Sequence, residues 1–452
     1  MSRQFITADR QATLEATVRL GDCLPQGHLA RFIADVVDSL DLSALYARYG
    51  TRGAMPYSPD ILLSLLVYAY ANGVFSSRKI EQAARDTAAY RFLAGNLTPD
   101  HDTLANFRRT FLPELEGLFV QVLLLAVEMG VLKIGNISID GTKIHADASK
   151  SKAVSYKRLK QLQLQLEAEV KDLFVLAEQA DKSAVPEGMD LPKEIARREV
   201  RLARLAEAKA ALEARAAEAD ALEQAEYAAK MRERENQQTR TGKKPGGRPP
   251  TPPTPGPKDK DQYNFTDPDS RIMKNSKDAG FDQHYNAQAA VDQESMLIVG
   301  QSVSAHANDQ QEVAPTVASI PKEKIGTPSA AALDCGFFSE DNLKILQEAG
   351  IEPYIATGRD PHCQGWQAYF AEAGPPPPEG ATLREKMAYK LRTALGKAIY
   401  RRRKCTIEPV IGQIKEVLGF RQFSLRGLLN VSGEWCLVCL GMNLRRLHVL
   451  AA

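Results

Sequence analysis

Ile137-Ser138-Ile139-Asp140 alternates apolar and polar residues, and Gly141 follows. A period of two predicts a half-buried strand, ended by the glycine, with a carboxylate at its tip. The pattern returns at 329–333, Ser-Ala-Ala-Ala-Leu, closed again by an acid and a small residue in Asp334-Cys335-Gly336. Two more strand-like stretches lie at Asn286 to Val291 and Met296 to Val303, with helical patterns at Glu340 to Ala349 and from about Arg384 onward. Strands mixed with helices predict an α/β domain, split between 131–155 and 260–452.

Working outward, residues 1–130 read as helical. Ser58-Pro59-Asp60 is a helix start: the serine caps, the proline takes the first position and the acid meets the positive end of the dipole. The nearly unbroken apolar run from Ile61 to Tyr70 predicts a buried central helix that stops near Asn72-Gly73. Ser77 to Asp86, Tyr90 to Leu93 and Asp102 to Phe111 are short helices parted by tight turns, the layout of a helix-turn-helix module. In that reading Arg108 and Arg109 on the last helix face DNA. A plain helical bundle with both arginines solvated is the bland alternative.

Residues 156–259 differ in kind. The stretch 156–235 is rich in Ala, Glu, Arg, Lys, Leu and Gln. Leu191, Leu205 and Leu212 share a heptad frame that Arg198 interrupts, so a helical hairpin is favoured over a long coiled coil. Val185-Pro186-Glu187-Gly188 and Leu191-Pro192 supply the turn. An arm from Leu191 to Arg234 would extend about 65 Å at roughly 1.5 Å per residue. Beyond it, Lys243-Lys244-Pro245-Gly246-Gly247-Arg248-Pro249-Pro250 reads as an extended basic linker. Within that linker Gly247-Arg248-Pro249 resembles a hook that inserts an arginine into a narrow minor groove.

The whole chain sets bounds. Its 452 residues predict two to four domains at roughly 100–200 residues each. With 44% apolar and 25% charged residues it can build a large core. A net charge of +2 excludes a basic coat, so nucleic acid must be met by local clusters. Arg401-Arg402-Arg403-Lys404 is the densest such cluster, with Arg421, Arg426, Arg445 and Arg446 after it. These would neutralise phosphates or form a solvated helix face. No apolar run reaches the roughly 18 residues of a membrane span, and the first residues lack the layout of a signal peptide, so a cytoplasmic protein is expected. Six cysteines are too few for a disulfide scaffold; Cys436 and Cys439, in an apolar run, read as buried helix thiols and not as zinc ligands.

The chemistry concentrates in acids. Asp140 and Asp334, at the ends of neighbouring strands, would converge on hard cations such as Mg²⁺. Glu408 lies on a later helix with Lys415 seven residues on, hence on the same face, where the lysine can meet a phosphate. Two metals so held suit phosphodiester chemistry. A single strand-end aspartate more often caps a turn; it is the joint pattern that points to a site. Asp147, Asp267, Asp269 and Asp309 are competitors, the last read as a helix cap.

At these residues the chain resembles the bacterial insertion-sequence transposases of the DDE superfamily, whose core is RNase H-like. The matching pieces, in order, are ISIDGTKIHADASK, TDPDSRIMK, YNAQAAVD, ALDCGFFS, YRRRKCTIEPVIGQIKEVLGFRQFSLRG and EWCLVCLGMNLRRL. The resemblance implies an RNase H-like catalytic core, an N-terminal all-α DNA-binding domain at 1–130 and a helical, coiled-coil-like insertion at 156–259. It makes Asp140, Asp334 and Glu408 the ligands of two Mg²⁺ ions, replaceable by Mn²⁺, with Lys415 beside them. It implies cleavage at the terminal inverted repeats of an element and strand transfer into target DNA by a homo-oligomer, with nucleoid association and no membrane. The alternatives are a nuclease on the same core that does not join ends, and an inactive DNA-binding relative. The family also places a Tyr and an Arg before the Glu. Their slots here hold Arg401 and Lys404, while Tyr400 and Arg403 each stand one residue early.

Overall fold

The computed structural model of the chain describes residues 6–10, 19–50, 55–180, 191–241, 250–275, 280–358, 373–378 and 380–451. These fall into two compact units, 1–147 with 273–452, and 148–272.

The first unit opens with helices α1 (Leu29–Ser39), α2 (Ser43–Ala47), α3 (Pro59–Ala71), α4 (Ser77–Asp86), α5 (Ala88–Leu93), α6 (His101–Thr110) and α7 (Leu115–Glu128). Helix α3 is the apolar run of the sequence, with Ile61, Leu63 and Leu65 at most 1% exposed. It stops at Asn72, and Gly73 turns the chain with φ +75°. Only glycine fits there: a Cβ would lie 2.5 Å from the Leu418 carbonyl oxygen. Ser58 precedes the helix without capping it; its hydroxyl bonds Tyr46 Oη at 2.7 Å and also Asp60.

The N-terminal helices do not stand apart from the α/β part, for both belong to one unit. The last helix of the chain, Leu428–Ala451, packs on α3 and α7. Gly441 lets it approach Tyr70 and Ala71, where a Cβ would be 3.0–3.3 Å from their atoms. Arg445 donates to the Ala71 carbonyl at 3.1 Å.

The sheet of this unit contains β1 (Asn136–His145), β5 (Phe281–Asp292), β6 (Ile298–Ser304), β7 (Ala330–Leu333) and β8 (Glu352–Ile355). Strand β5 pairs antiparallel with β1 and with β6, while β7 runs parallel to β1, and β8 parallel to β7. The order across the sheet is therefore β6, β5, β1, β7, β8; β4 (Arg271–Lys274) shares the outer edge of β5. Parallel neighbours need crossovers, and α10 (Val313–Ala318), α11 (Lys322–Ile325) and α12 (Glu340–Glu348) supply them. The chain then runs through α13 (Leu383–Arg392), α14 (Ala394–Gly412) and the final helix, here α15.

One expectation is corrected. Gly141 does not end β1, which continues to His145 opposite His284 of β5. Gly141 is small for another reason: a Cβ there would overlap the Gln288 carboxamide.

The second unit is built on α8 (Tyr156–Ala180) and α9 (Leu191–Thr241), with a two-stranded sheet of β2 (Ala153–Ser155) and β3 (Gln262–Asn264). Tyr156 bonds Glu213 while Glu169 pairs with Arg198, so the helices run antiparallel. Leu159 and Leu166 pack against Leu205, Ala208 and Leu212. Arg198, the charged break in the heptad, bonds Glu169 on the facing helix at 3.0 Å and Glu194 on its own at 2.6 Å. The hairpin turn at 185–188 and the basic stretch at 243–249 lie outside the described residues.

Candidate active site

Register brings the first two acids together. Ser138 pairs with Ala332 across the parallel strands β1 and β7. Asp140 and Asp334 are each two residues further on, so the register sets Asp334, just past the end of β7, next to Asp140 on the neighbouring strand, roughly 5 Å away between backbones. Asp334 has left the strand, and its carboxylate accepts from the Gly336 amide at 2.7 Å. A Cβ on Gly336 would sit 3.1 Å from Asp334 Oδ1 and 3.7 Å from Asp309 Oδ2, so these two carboxylates flank one small space.

Helix α14 crosses β1 and fixes the third acid. Thr406 bonds Ser138 at 2.8 Å in the interior, which anchors the helix over the strand. One turn earlier Arg403, 7% exposed, donates to Asp140 Oδ2 at 2.8 Å and lies 3.6 Å from Glu408 Oε1. The Tyr400 ring lies 5.9 Å from its guanidinium. Arg403 thus faces inward and joins Asp140 to Glu408, which corrects its reading as a phosphate contact. Glu408 itself is half-exposed.

Lys415 lies in a π-helical turn, Gln413–Val417, that continues α14. Such a turn inserts an extra residue and rotates the helix positions beyond it. Lys415 Nζ donates to Thr142 Oγ1 at 3.0 Å and to the Lys143 carbonyl at 3.1 Å. Thr142 is two residues past Asp140, so the ammonium lies on the Asp140 face of β1.

Electrostatics mark the same place. Burial pushes the Asp140 carboxyl up; Arg403 pulls it down, and Asp334 and Asp309 add to the rise, leaving it at about 6. Arg403 is held charged by Asp140, Tyr400, Asp334 and Glu408 against its own desolvation. Asp309 is a site residue that the sequence reading placed as a cap. Its Oδ1 instead accepts from Asn286 Nδ2 at 2.8 Å and Gln288 Nε2 at 3.0 Å. The alternating amides Asn286 and Gln288 in a strand were its only signal. Trp435, fully buried, holds that strand through a bond from Nε1 to the Gln288 carbonyl at 3.0 Å.

The other basic residues separate. Arg108 is 8% exposed and donates to Tyr70 Oη at 2.8 Å and the Phe75 carbonyl at 3.0 Å, so it belongs to the interior and not to a DNA-facing surface. Fully buried Glu434 is 3.9 Å away and accepts from Tyr70, Ser424 and Leu425. Arg109, Arg401 and Lys404 are exposed. Arg402 pairs with Glu294, Arg421 with Glu416 and Arg426 with Asp147. Arg446 bonds the Ser295 carbonyl. Arg248 lies outside the described residues. Cys436 and Cys439 are buried thiols, and burial raises the first to about 12.

Two family models match this chain. One, described as a transposase domain (DUF772), matches residues 18–110; the other, described as a transposase DDE domain, matches residues 378–448. Both matches support an insertion-sequence DDE transposase. In this transposase the DDE match spans α14 and its π turn, hence Glu408 and Lys415, whereas Asp140 and Asp334 precede it. No curated protein and no solved structure matches the chain. Among the described residues, no single helix is long and apolar enough to cross a membrane.

Proposed function

We propose that this transposase cuts DNA at the terminal repeats of its element and joins the freed ends to target DNA, using an RNase H-like catalytic core. The observation that carries the reading is the parallel register of β1 with β7, which sets Asp334, just past the end of β7, beside Asp140, under a helix that presents Arg403 and Glu408. Three antiparallel strands followed by two parallel ones, in the order β6, β5, β1, β7, β8, support the fold assignment.

The residues fit divalent cations. Asp140 and Glu408 both lie within 3.6 Å of one guanidinium, Asp334 adds a third negative charge, and Asp140 stays raised to about 6 although Arg403 touches it. That surplus of negative charge, on hard oxygen donors, suits Mg²⁺ or Mn²⁺. Among the described residues no three acids or histidines stand in ligand geometry. Asp140, Asp334 and Glu408 would hold the ions. Bound there, two ions would supply activation of the attacking oxygen and stabilisation of the leaving one.

The chain's own groups do the rest. Lys415, tethered by Thr142, offers its ammonium to a phosphate oxygen beside Asp140. Arg403 positions Asp140 and Glu408 relative to each other. Asn286 and Gln288 hold Asp309 beside Asp334. Exposed Arg109, Arg401 and Lys404 add sequence-independent phosphate contacts, together with Arg248. Paired ends need two such sites, so the active form is a homo-oligomer on DNA.

The test is strand transfer. A duplex carrying a pre-cut element end with a free 3′-hydroxyl is incubated with target plasmid and Mg²⁺. Joined product from the wild-type chain, and none from Asp334→Ala, is the expected result. Cleavage of uncut ends without joining would leave a nuclease.

A further inference from the structure

The 148–272 unit carries a groove that the catalytic reading leaves unused. It encloses about 560 Å³ and is lined by residues of that unit alone. One wall is the face of α9 bearing Arg197, Arg201 and Arg204. Positions three and four apart share a face, and a rise of about 1.5 Å per residue spaces these residues along the axis at steps of about 6 and 4.5 Å. Arg158 of α8 and Lys152 also line the groove and add charge. All five cations are exposed, and no acidic residue lines the groove. Arg197 shares Glu194 with Arg198; among the described residues Arg158, Arg201 and Arg204 form no ion pair.

The floor is different in character. Val154 and Leu205 are buried, and Leu162 half-buried, beneath the arginines. Beside them Phe265 leaves 42% of its surface exposed and is held edge-on by the Tyr263 ring at 5.4 Å. Val200 is 58% exposed in the same groove. An exposed aromatic braced by a second ring, in a basic groove, is not what a merely solvated helix face presents.

We infer that this groove binds an unpaired DNA strand, with phosphates on Arg158, Arg201 and Arg204 and a base stacked on Phe265. Charge complementarity selects a polyanion. The apolar floor then discriminates between its forms. A duplex turns its base faces inward and would satisfy the arginines while leaving Phe265 and the floor uncovered; an unpaired strand offers both phosphates and π-faces. The inference rests on the transposase reading for the presence of DNA, and it gives the insertion a job: holding a strand parted from its complement during end processing. An acidic, apolar segment of a second copy is the competing occupant.

The experiment uses the full chain with Asp140→Asn, so that nothing is cleaved. Anisotropy of a labelled oligothymidine of roughly 15 nucleotides is read from low to moderate salt. Arg201→Ala with Arg204→Ala should weaken binding about tenfold or more at about 0.1 M salt and flatten the log–log salt slope by roughly 1.4, at about 0.7 per lost contact. Phe265→Leu, which keeps the floor apolar, should weaken binding about fivefold or more without changing the slope. Affinity for an element-end duplex should move less than about twofold in both variants. Unchanged oligothymidine binding in either variant overturns the proposal, as does equal loss on duplex. A fall in oligomer size by sedimentation, with strand binding intact, assigns the groove to a second copy instead. Cleavage is not read, so these outcomes are independent of the catalytic assignment.

Discussion

Asp140 has its carboxyl pushed up to about 6, by burial first, with Asp334 and Asp309 adding to the rise and Arg403 opposing it. An unfolded aspartate loses its proton near pH 3.9. The folded chain therefore holds that proton longer, and this residue lowers stability as pH rises from about 4 to about 6. Above that window the burden is about 2–3 kcal/mol. Asp140→Asn should raise the melting temperature of the metal-free protein at pH 8 and leave it nearly unchanged at pH 4; equal melts at pH 8 would remove the argument for a charged, uncompensated site. Arg108 makes the opposite case. Arg108→Ala removes a buried guanidinium and leaves Glu434 without its nearest cation, so a loss of about 3 kcal/mol in chemical denaturation is expected. A loss below about 1 kcal/mol would restore Arg108 to the surface. Sequence could not separate Arg108 from Arg109, because adjacent residues on a helix point about 100° apart and only one can face water. The same ambiguity hid Arg403 in a run of four bases, where burial selects one.

At the scale of elements, the apolar run of α3, the strands carrying Asp140 and Asp334, and the antiparallel α8–α9 pair were legible from periodicity. What periodicity could not show was where a pattern breaks for a tertiary reason. Gly141 read as a strand stop, yet it is a gap for the Gln288 side chain in a strand that goes on. Asp309 read as a cap because its partners, Asn286 and Gln288, are about twenty residues back in sequence. The seven-residue spacing of Glu408 and Lys415 assumed a continuous α-helix, but a π turn intervenes. Deleting Gln413, an exposed residue of that turn, should restore α-helical winding and swing Lys415 by about 100° away from Thr142. Strand cleavage should drop at least about a hundredfold with helix content preserved. Activity within about threefold of wild type would mean that the lysine is not placed by the turn.

At the scale of the molecule, the sequence separated a helical N-terminal region from an α/β region, and composition alone flagged the insertion. The join between the first two was not legible. It depends on Gly73 against Leu418, Gly441 against Tyr70, and Arg445 on the Ala71 carbonyl, contacts between segments more than 300 residues apart. Asp140 and Asp334 meet for the same kind of reason: parallel pairing of β1 with β7 across a long excursion of the chain. That pairing is where the account is most exposed. The direct measurement is cleavage of supercoiled plasmid carrying the element's ends, in Mg²⁺, by the wild-type chain and by Asp140→Ala, Asp334→Ala and Glu408→Ala, with end binding measured in parallel. Loss of cleavage of at least about a thousandfold in each variant, with end binding within about threefold of wild type, is the predicted result. Full cleavage by Asp334→Ala would contradict the carboxylate site at the junction of β1 and β7.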